Sequence, residues 1–242
     1  MERKKMIVSI DNMPGWGFGN RLLCYNNLRQ YANRTGYDWS CCPWDGYQYF
    51  KGDLLRGSKT GDIQLEPRLG DNFFDEQNQA PTRSIFKLKN IPDIPDKTCA
   101  LHFRGTDYFS WNSAAVLDAT YYINAIDLVK NKAEEFKIFT DDLSLSSLLE
   151  VIKKLDKEDI KYSFGENTAD RRYFINDFSY MTECEYIISS PSTYCIAAGF
   201  IGKNKKIIHS ERWLLDRINH GDKFWIDLFS GGNQDYKLWA KV

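Results

Sequence analysis

The chain has 242 residues, enough for one large domain or two small ones that bury most of the surface exposed by the unfolded chain. Its 32 basic and 33 acidic residues give a formal net charge of -1, so the sequence lacks the excess of positive charge that binding to a nucleic acid requires. The six cysteines include no C-x-x-C pair, and a chain of this length does not need a disulfide framework.

The sequence contains no recognisable targeting or membrane-spanning segment. Its basic N-terminus is followed by an apolar run of only five residues, which is too short for the core of a signal peptide. No stretch approaches the roughly 18 apolar residues that cross a bilayer. We therefore expect a cytoplasmic protein without a membrane span.

The first part of the chain predicts a strand, a loop and a helix. Residues 6–10 form an apolar run typical of a buried parallel strand, and a glycine-rich turn follows at residues 14–19. Helical spacing of apolar residues then begins, with Asn20 as the expected N-cap, and it stops at Gly36. The G-x-G-x-G spacing differs from the G-x-G-x-x-G of dinucleotide sites, so we interpret the turn as a tight bend that lets a substrate approach the backbone.

Residues 41–95 have a weaker pattern, in which we predict neither a strand nor a helix with any regularity. Glycines punctuate this stretch, and Pro92 and Pro95 are typical of a linker. We therefore predict two domains, residues 1–94 and residues 95–242.

After residue 95, strands and helices alternate regularly. The strands are predicted at residues 98–103, 136–140, 160–164, 186–189 and 206–209. The helices are predicted at residues 118–132, 144–155 (with Ser144 as cap), 173–184 and 192–201. Parallel neighbours need crossover connections, so this alternation predicts an α/β domain with a doubly wound parallel sheet.

Polar residues lie at the predicted carboxyl ends of four strands, which is where ligands bind in open α/β sheets. They are His102, Arg104, Thr140, Asp141, Asp142, Ser189, Ser190, Ser192, Thr193 and His209. The planar guanidinium of Arg104 suits a diphosphate, and the helix that follows Ser192 would point free N–H groups at a phosphate. Asp141 or Asp142 could accept hydrogen bonds from a ribose or from guanine. These features predict a site for an anionic nucleotide.

Simpler interpretations of the same residues remain open. Arg104 and Asp107 could form a surface salt bridge, and Ser192 and Asp142 could merely cap helices. Asp141 and Asp142 could also bind Mg²⁺ or Mn²⁺ in a metal-dependent transferase, because hard cations prefer carboxylate oxygens.

The segment from His102 to Asp107 resembles the H-x-R-x-x-D motif of the α-1,2-, α-1,6- and protein O-fucosyltransferase superfamily. Three further segments resemble the α-1,2-fucosyltransferase group in the same order along the chain: residues 17–23, residues 139–142 and residues 176–194. Residues 207–213 are similar to the strand and tryptophan that close that group. The matches span residues 15–213, although most residues between them differ.

This resemblance implies a GT-B fold with two Rossmann-like halves. The donor would be GDP-fucose, bound mainly by the C-terminal half, and the acceptor a glycan bound on the N-terminal side. Transfer would be inverting and would need neither a metal nor another cofactor. By the same resemblance Arg104 would hold the β-phosphate, His102 would contact the nucleotide, and Asp141 or Asp142 would contact guanine. Ser190, Ser192 and Thr193 would bind phosphate, and the cleft would be lined from the other half by Gly17, Gly19, Asn20 and Arg21.

An inverting transfer also needs a base for the acceptor hydroxyl, for which Asp107 and Asp11 are the candidates. Three departures from the family pattern keep other functions open. Gly105 stands where a second arginine is usual, Arg21 replaces glutamine and Pro191 replaces asparagine. The donor could therefore be another nucleotide sugar, or the chain could be a nucleotide-sugar or glycan-binding module without catalysis.

Overall fold

Two parallel sheets, one in each half of the chain, organise this computed structural model. It describes residues 5–52, 60–67, 82–166, 174–204, 206–221 and 239–242. The chain divides into a first unit of residues 1–90 and a second unit of residues 91–242. The predicted α/β class, with a parallel sheet in the C-terminal half, is confirmed.

The first unit contains a three-stranded sheet in the order β2-β1-β3. Its strands are β1 (Ile7–Ile10), β2 (Asp38–Cys41) and β3 (Ile63–Gln64), and its helices include α1 (Phe18–Thr35) and α2 (Gly46–Tyr49). The predicted strand and long helix are therefore present, and Gly36 ends α1 in the left-handed conformation with φ of 70°.

The structure of the first unit differs from the sequence analysis in two respects. α1 begins at Phe18 with Gly17 as its N-cap, so Asn20 lies inside the first turn and does not cap the helix. The weak pattern of residues 41–95 led to no prediction of a strand or helix, and the structure contains α2 and β3 there. These elements have only four and two residues, too few for hydrophobic periodicity to reveal.

The second unit contains a six-stranded parallel sheet in the order β6-β5-β4-β7-β8-β9. The strands are β4 (Thr98–His102), β5 (Glu135–Phe139), β6 (Tyr162–Phe164), β7 (Tyr186–Ile188), β8 (Lys206–His209) and β9 (Trp239–Lys241). Every residue of β4 is buried, as expected for a central strand covered on both faces. Five of these strands were predicted, whereas β9 was not.

Helices alternate with the strands of the second unit. They are α3 (Tyr108–Trp111), α4 (Ala119–Val129), α5 (Ser146–Lys157), α6 (Phe174–Glu183), α7 (Thr193–Ile201) and α8 (Glu211–Asn219). α4 packs against α5, and α6 packs against α7. No described helix combines the length and the apolar content that crossing a membrane would need.

The capping of α5 differs from the prediction. Leu145, not Ser144, is its N-cap, and it makes no side-chain cap. The backbone N–H and hydroxyl of Ser144 donate instead to Asp142 Oδ1, at 2.8 and 2.6 Å. Ser144 therefore completes a local turn before the helix.

Candidate functional site

The candidate site lies at the carboxyl edge of the second unit's sheet, where the strand order reverses. The chain runs from β4 through β5 to β6 on one side, and then returns to β7 on the other side of β4. Ligands in open α/β sheets bind in the crevice at such a switch point. His102 Nδ1 and Ser190 Oγ are hydrogen-bonded across it at 2.7 Å, so the structure brings these two predicted residues together.

His102 is held neutral in this crevice. Its side chain is buried, and burial lowers its pKa to about 3, a direction that the Arg104 guanidinium reinforces and Asp141 opposes. The hydroxyl of Tyr122 donates to the backbone oxygen of His102 at 3.2 Å and so fixes the end of β4. The imidazole can therefore offer a phosphate or a sugar a hydrogen bond but not a positive charge.

Asp141 organises the loop that follows β4. Its Oδ1 accepts from the backbone N–H of Gly105 at 2.8 Å, and its Oδ2 accepts from the hydroxyl of Thr106 at 2.5 Å. Oδ2 also lies 2.9 Å from Arg104 Nη1, and the Asp141 side chain is only 7% exposed. Both oxygens are thus engaged within the chain, so the geometry gives Asp141 a role in positioning this loop.

Arg104 lies between two carboxylates. Besides Asp141, it contacts Asp107, with 2.7 Å between Nη2 and Oδ1. Its guanidinium carbon lies 5.1 Å from the centre of the Tyr108 ring, and the buried Nε has no hydrogen-bond partner. The salt bridge that was one simpler interpretation of Arg104 and Asp107 is therefore present in the structure.

Gly105 follows Arg104 where the resembled family usually has a second arginine. A Cβ at this position would lie 2.7 Å from Cδ2 of Leu145, which is buried. The space needed by a side chain at residue 105 is thus already filled.

Asp142 has a separate role in the loop after β5. Its Oδ1 accepts the two hydrogen bonds from Ser144, which hold the pKa of the carboxyl below its usual range. Its backbone N–H donates to Thr140 Oγ1 at 3.1 Å. Over the described ranges, no group of three or more His, Cys, Asp or Glu residues is placed to hold a metal ion.

The turn between β7 and α7 carries the predicted phosphate-binding serines. Ser190 is 1% exposed, and Ser192 is the N-cap of α7, which begins at Thr193. Ser192 makes no side-chain cap. Tyr108 joins this turn to the loop after β4, because its hydroxyl donates to the Pro191 oxygen at 2.9 Å. Burial raises the pKa of Tyr108 to about 12, so the phenol keeps its proton.

Sequence reasoning missed two members of this site, Thr106 and Tyr108. Thr106 lies inside the motif at one of its unspecified positions, with φ of 22°, and its hydroxyl reaches both Asp141 and Asp107. Tyr108 follows the motif directly. Their places in the sequence, two and four residues after Arg104, were the only signal that they could belong to the site.

The predicted residues of the first unit lie around the carboxyl end of β1 and the start of α1. Asp11 Oδ2 accepts from Gln64 Nε2 at 2.7 Å, and Arg21 pairs with Asp45 at 2.7 Å. Gly17 precedes α1, while Gly19 and Asn20 are in its first turn. Gly17 has no positive φ, and a Cβ there would meet no atom within 4 Å, so the turn itself does not require glycine.

Comparison with known proteins identifies the fold. No protein-family model matches the sequence, and no curated protein matches it significantly. Among solved structures, the chain is similar to the fucosyltransferase FUT1 of Arabidopsis thaliana, determined as a point mutant in complex with GDP. The TM-score is 0.51 at 10% sequence identity, over 85% of this chain and 71% of that one. The chain therefore shares the α/β fold of a GT-B fucosyltransferase.

Proposed function

We propose that this chain is an inverting, metal-independent glycosyltransferase that moves fucose from GDP-fucose to a glycan hydroxyl. The observation that carries the proposal is the cluster of His102, Arg104 and Ser190 at the switch point of the second sheet. Two further findings support it: the H-x-R-x-x-D motif that supplies the first two residues, and the likeness of the fold to a fucosyltransferase solved with GDP.

In this proposal the second unit binds the diphosphate. Arg104 is the cation for the β-phosphate, and neutral His102 adds a hydrogen bond to the nucleotide. The turn at Ser190 and Ser192 leads into α7, whose first-turn N–H groups and dipole favour a second phosphate. Thr193 is the first residue of that helix.

The proposed transfer forms one bond and breaks one bond, and neither change needs a metal ion. The acceptor oxygen forms a bond to the anomeric carbon, on the face opposite GDP, while the bond from that carbon to the β-phosphate oxygen breaks. The electron pair leaves with GDP, where Arg104 and backbone N–H groups stabilise the developing charge. A carboxylate accepts the proton of the hydroxyl, and Asp107 and Asp11 are the candidates for this base.

The guanine is assigned to Asp142. Asp141 was the alternative, but both of its oxygens already accept hydrogen bonds within the loop. Asp142 uses Oδ1 for Ser144, and its lowered pKa keeps the carboxyl ionised at neutral pH. Its second oxygen could then accept from the N–H edge of guanine, whereas uracil presents only one N–H group beside two carbonyl oxygens.

A second candidate function is the binding of a nucleotide sugar without catalysis. Two observations favour it: Arg104 is neutralised by two carboxylates, and Gly105 removes the second cation of the resembled family. A metal-dependent transferase has less support, because the carboxylates of Asp141 and Asp142 are engaged by Gly105, Thr106, Arg104 and Ser144.

Calorimetric titration with GDP, UDP, ADP and CMP tests the donor. We expect GDP to bind at least about tenfold more tightly than the others, which is about 1.4 kcal/mol, because only guanine presents two neighbouring N–H donors to a single carboxylate. Asp142→Asn should reduce the preference for GDP over UDP and leave UDP affinity unchanged. UDP binding equal to or tighter than GDP would contradict the proposed donor.

Turnover of GDP-fucose with and without EDTA separates the three functions. Hydrolysis or transfer that EDTA leaves intact supports the proposed enzyme. Turnover that EDTA abolishes indicates the metal-dependent transferase, and GDP binding without turnover indicates the binding module.

A further inference from the structure

We propose that Asp107 occupies the phosphate position of Arg104 while the donor is absent, and that the donor's diphosphate displaces it. The inference rests on the proposed function, because it assumes that Arg104 binds a diphosphate. It assigns Asp107 an additional role as an internal competitor for the nucleotide.

The two carboxylates on Arg104 are held unequally. Asp141 is 7% exposed, and it accepts from the Gly105 N–H and the Thr106 hydroxyl as well as from Arg104. Asp107 is 62% exposed, and its Oδ1 contacts Arg104 Nη2 at 2.7 Å and Thr106 Oγ1 at 3.1 Å. Asp141 is thus built into the loop, whereas Asp107 is a mostly solvent-exposed partner of the cation.

The Thr106 hydroxyl does little to keep Asp107 in place. A hydroxyl has one proton to donate, and it faces two carboxylates, at 2.5 Å from Asp141 and 3.1 Å from Asp107. The shorter contact favours donation to Asp141. Asp107 therefore depends mainly on Arg104 for its position.

Displacement of Asp107 requires no movement of the main chain. Its backbone oxygen accepts from the Ser110 hydroxyl at 2.8 Å, from the Ser110 N–H at 3.2 Å and from the Trp111 N–H at 3.0 Å. These bonds fix the start of α3, but the carboxylate itself makes no helix cap. Rotation about the side-chain bonds alone can release it toward solvent.

The charges of this cluster favour replacement of Asp107 by the diphosphate over binding of the diphosphate with Asp107 still in place. Arg104 with Asp107 and Asp141 carries a formal charge of about -1, so an arriving diphosphate meets net repulsion until one carboxylate leaves. Once Asp107 is replaced, Asp141 still holds Nη1 and keeps the guanidinium oriented. The released Asp107 no longer has a cationic partner, so its carboxylate is free to act as the proposed proton acceptor for the glycan hydroxyl.

The test compares two variants with the same chemical change, Asp107→Asn and Asp141→Asn. Affinities for GDP and for inorganic pyrophosphate are measured by calorimetry. Asp107→Asn should bind both ligands about fivefold more tightly than the wild type, the scale of one exposed ion pair, while kcat for transfer falls. The gain should shrink at 1 M salt, where the Debye length is about 3 Å. Asp141→Asn should bind both ligands at least tenfold more weakly.

Asp107→Ala removes the same carboxylate in a different way, and it should also bind GDP and pyrophosphate more tightly than the wild type. Unchanged or weaker GDP binding in both Asp107 variants, with wild-type melting temperatures, would overturn the inference while leaving the proposed function intact. A wild-type chain that binds neither any nucleotide nor pyrophosphate would contradict the proposed function, and the inference with it.

Discussion

Replacing Arg104 with alanine is expected to slow sugar transfer about a thousandfold and to leave the chain folded. The guanidinium is close enough to the switch-point histidine, His102, to lower its pKa, and Gly105 provides no second cation to share the stabilisation of the leaving diphosphate. The effect is measured as kcat/KM for GDP-fucose, together with far-UV circular dichroism and the melting temperature.

Two further variants make this result specific. Arg104→Lys should also lose most of the activity, because an ammonium cannot reproduce the planar contacts to Asp141 and a phosphate. Arg212→Ala is the matched control: Arg212 is 73% exposed and pairs with Asp118 at 2.7 Å, outside the candidate site. Residual activity of Arg104→Ala above about a tenth of the wild type would refute the assignment.

His102 is expected to make the chain sensitive to mild acid. Its pKa is about 3 in the folded chain against an ordinary value of 6.5, so below pH 6.5 the unfolded chain binds a proton that the folded chain does not. Stability is therefore complete above pH 6.5 and is lost as the pH falls toward 3, by up to about 1.4 kcal/mol per pH unit. At pH 5 the loss in the free energy of unfolding should be on the order of 2 kcal/mol.

Urea unfolding at pH 7 and pH 5 measures this contribution. His102→Asn, which keeps a hydrogen-bonding group for Ser190, should remove most of the difference between the two pH values. His220→Asn is the control, because His220 is exposed at the end of α8. The same acid dependence in His102→Asn and in the wild type would mean that other groups cause it.

The fold of the second unit was predictable because its central strands, β4 and β5, are buried along most or all of their length. Such strands appear in the sequence as short apolar runs, and the helices between them have a regular length. α2, α3 and β3 were not predictable, since elements of two to four residues carry no periodicity. The two wrong caps, Asn20 and Ser144, lie within three residues of the true helix starts, which is the usual uncertainty of such boundaries.

For the candidate site, the sequence could predict which residues come together but not which contacts they make. Strand ends and motif spacing identified His102, Arg104 and Ser190, and parallel strands necessarily bring their carboxyl ends to one edge. The pairing of donors and acceptors could not be predicted in the same way. It depends on the path of the loop from Gly105 to Asp107, where Thr106 adopts a positive φ that propensity does not favour for a β-branched residue.

Leu145 fills the space that a side chain at residue 105 would need, which couples substitutions at these two positions. A chain that acquired arginine at residue 105 would have to move a buried leucine whose Cδ2 lies 2.7 Å from the new Cβ, and overpacking of this kind typically costs about 1–3 kcal/mol. A smaller residue at 145 would open that space but leave a cavity while residue 105 is still glycine. We therefore expect the two substitutions to be coupled, so that arginine at residue 105 lowers the free energy of unfolding less when residue 145 is smaller than leucine.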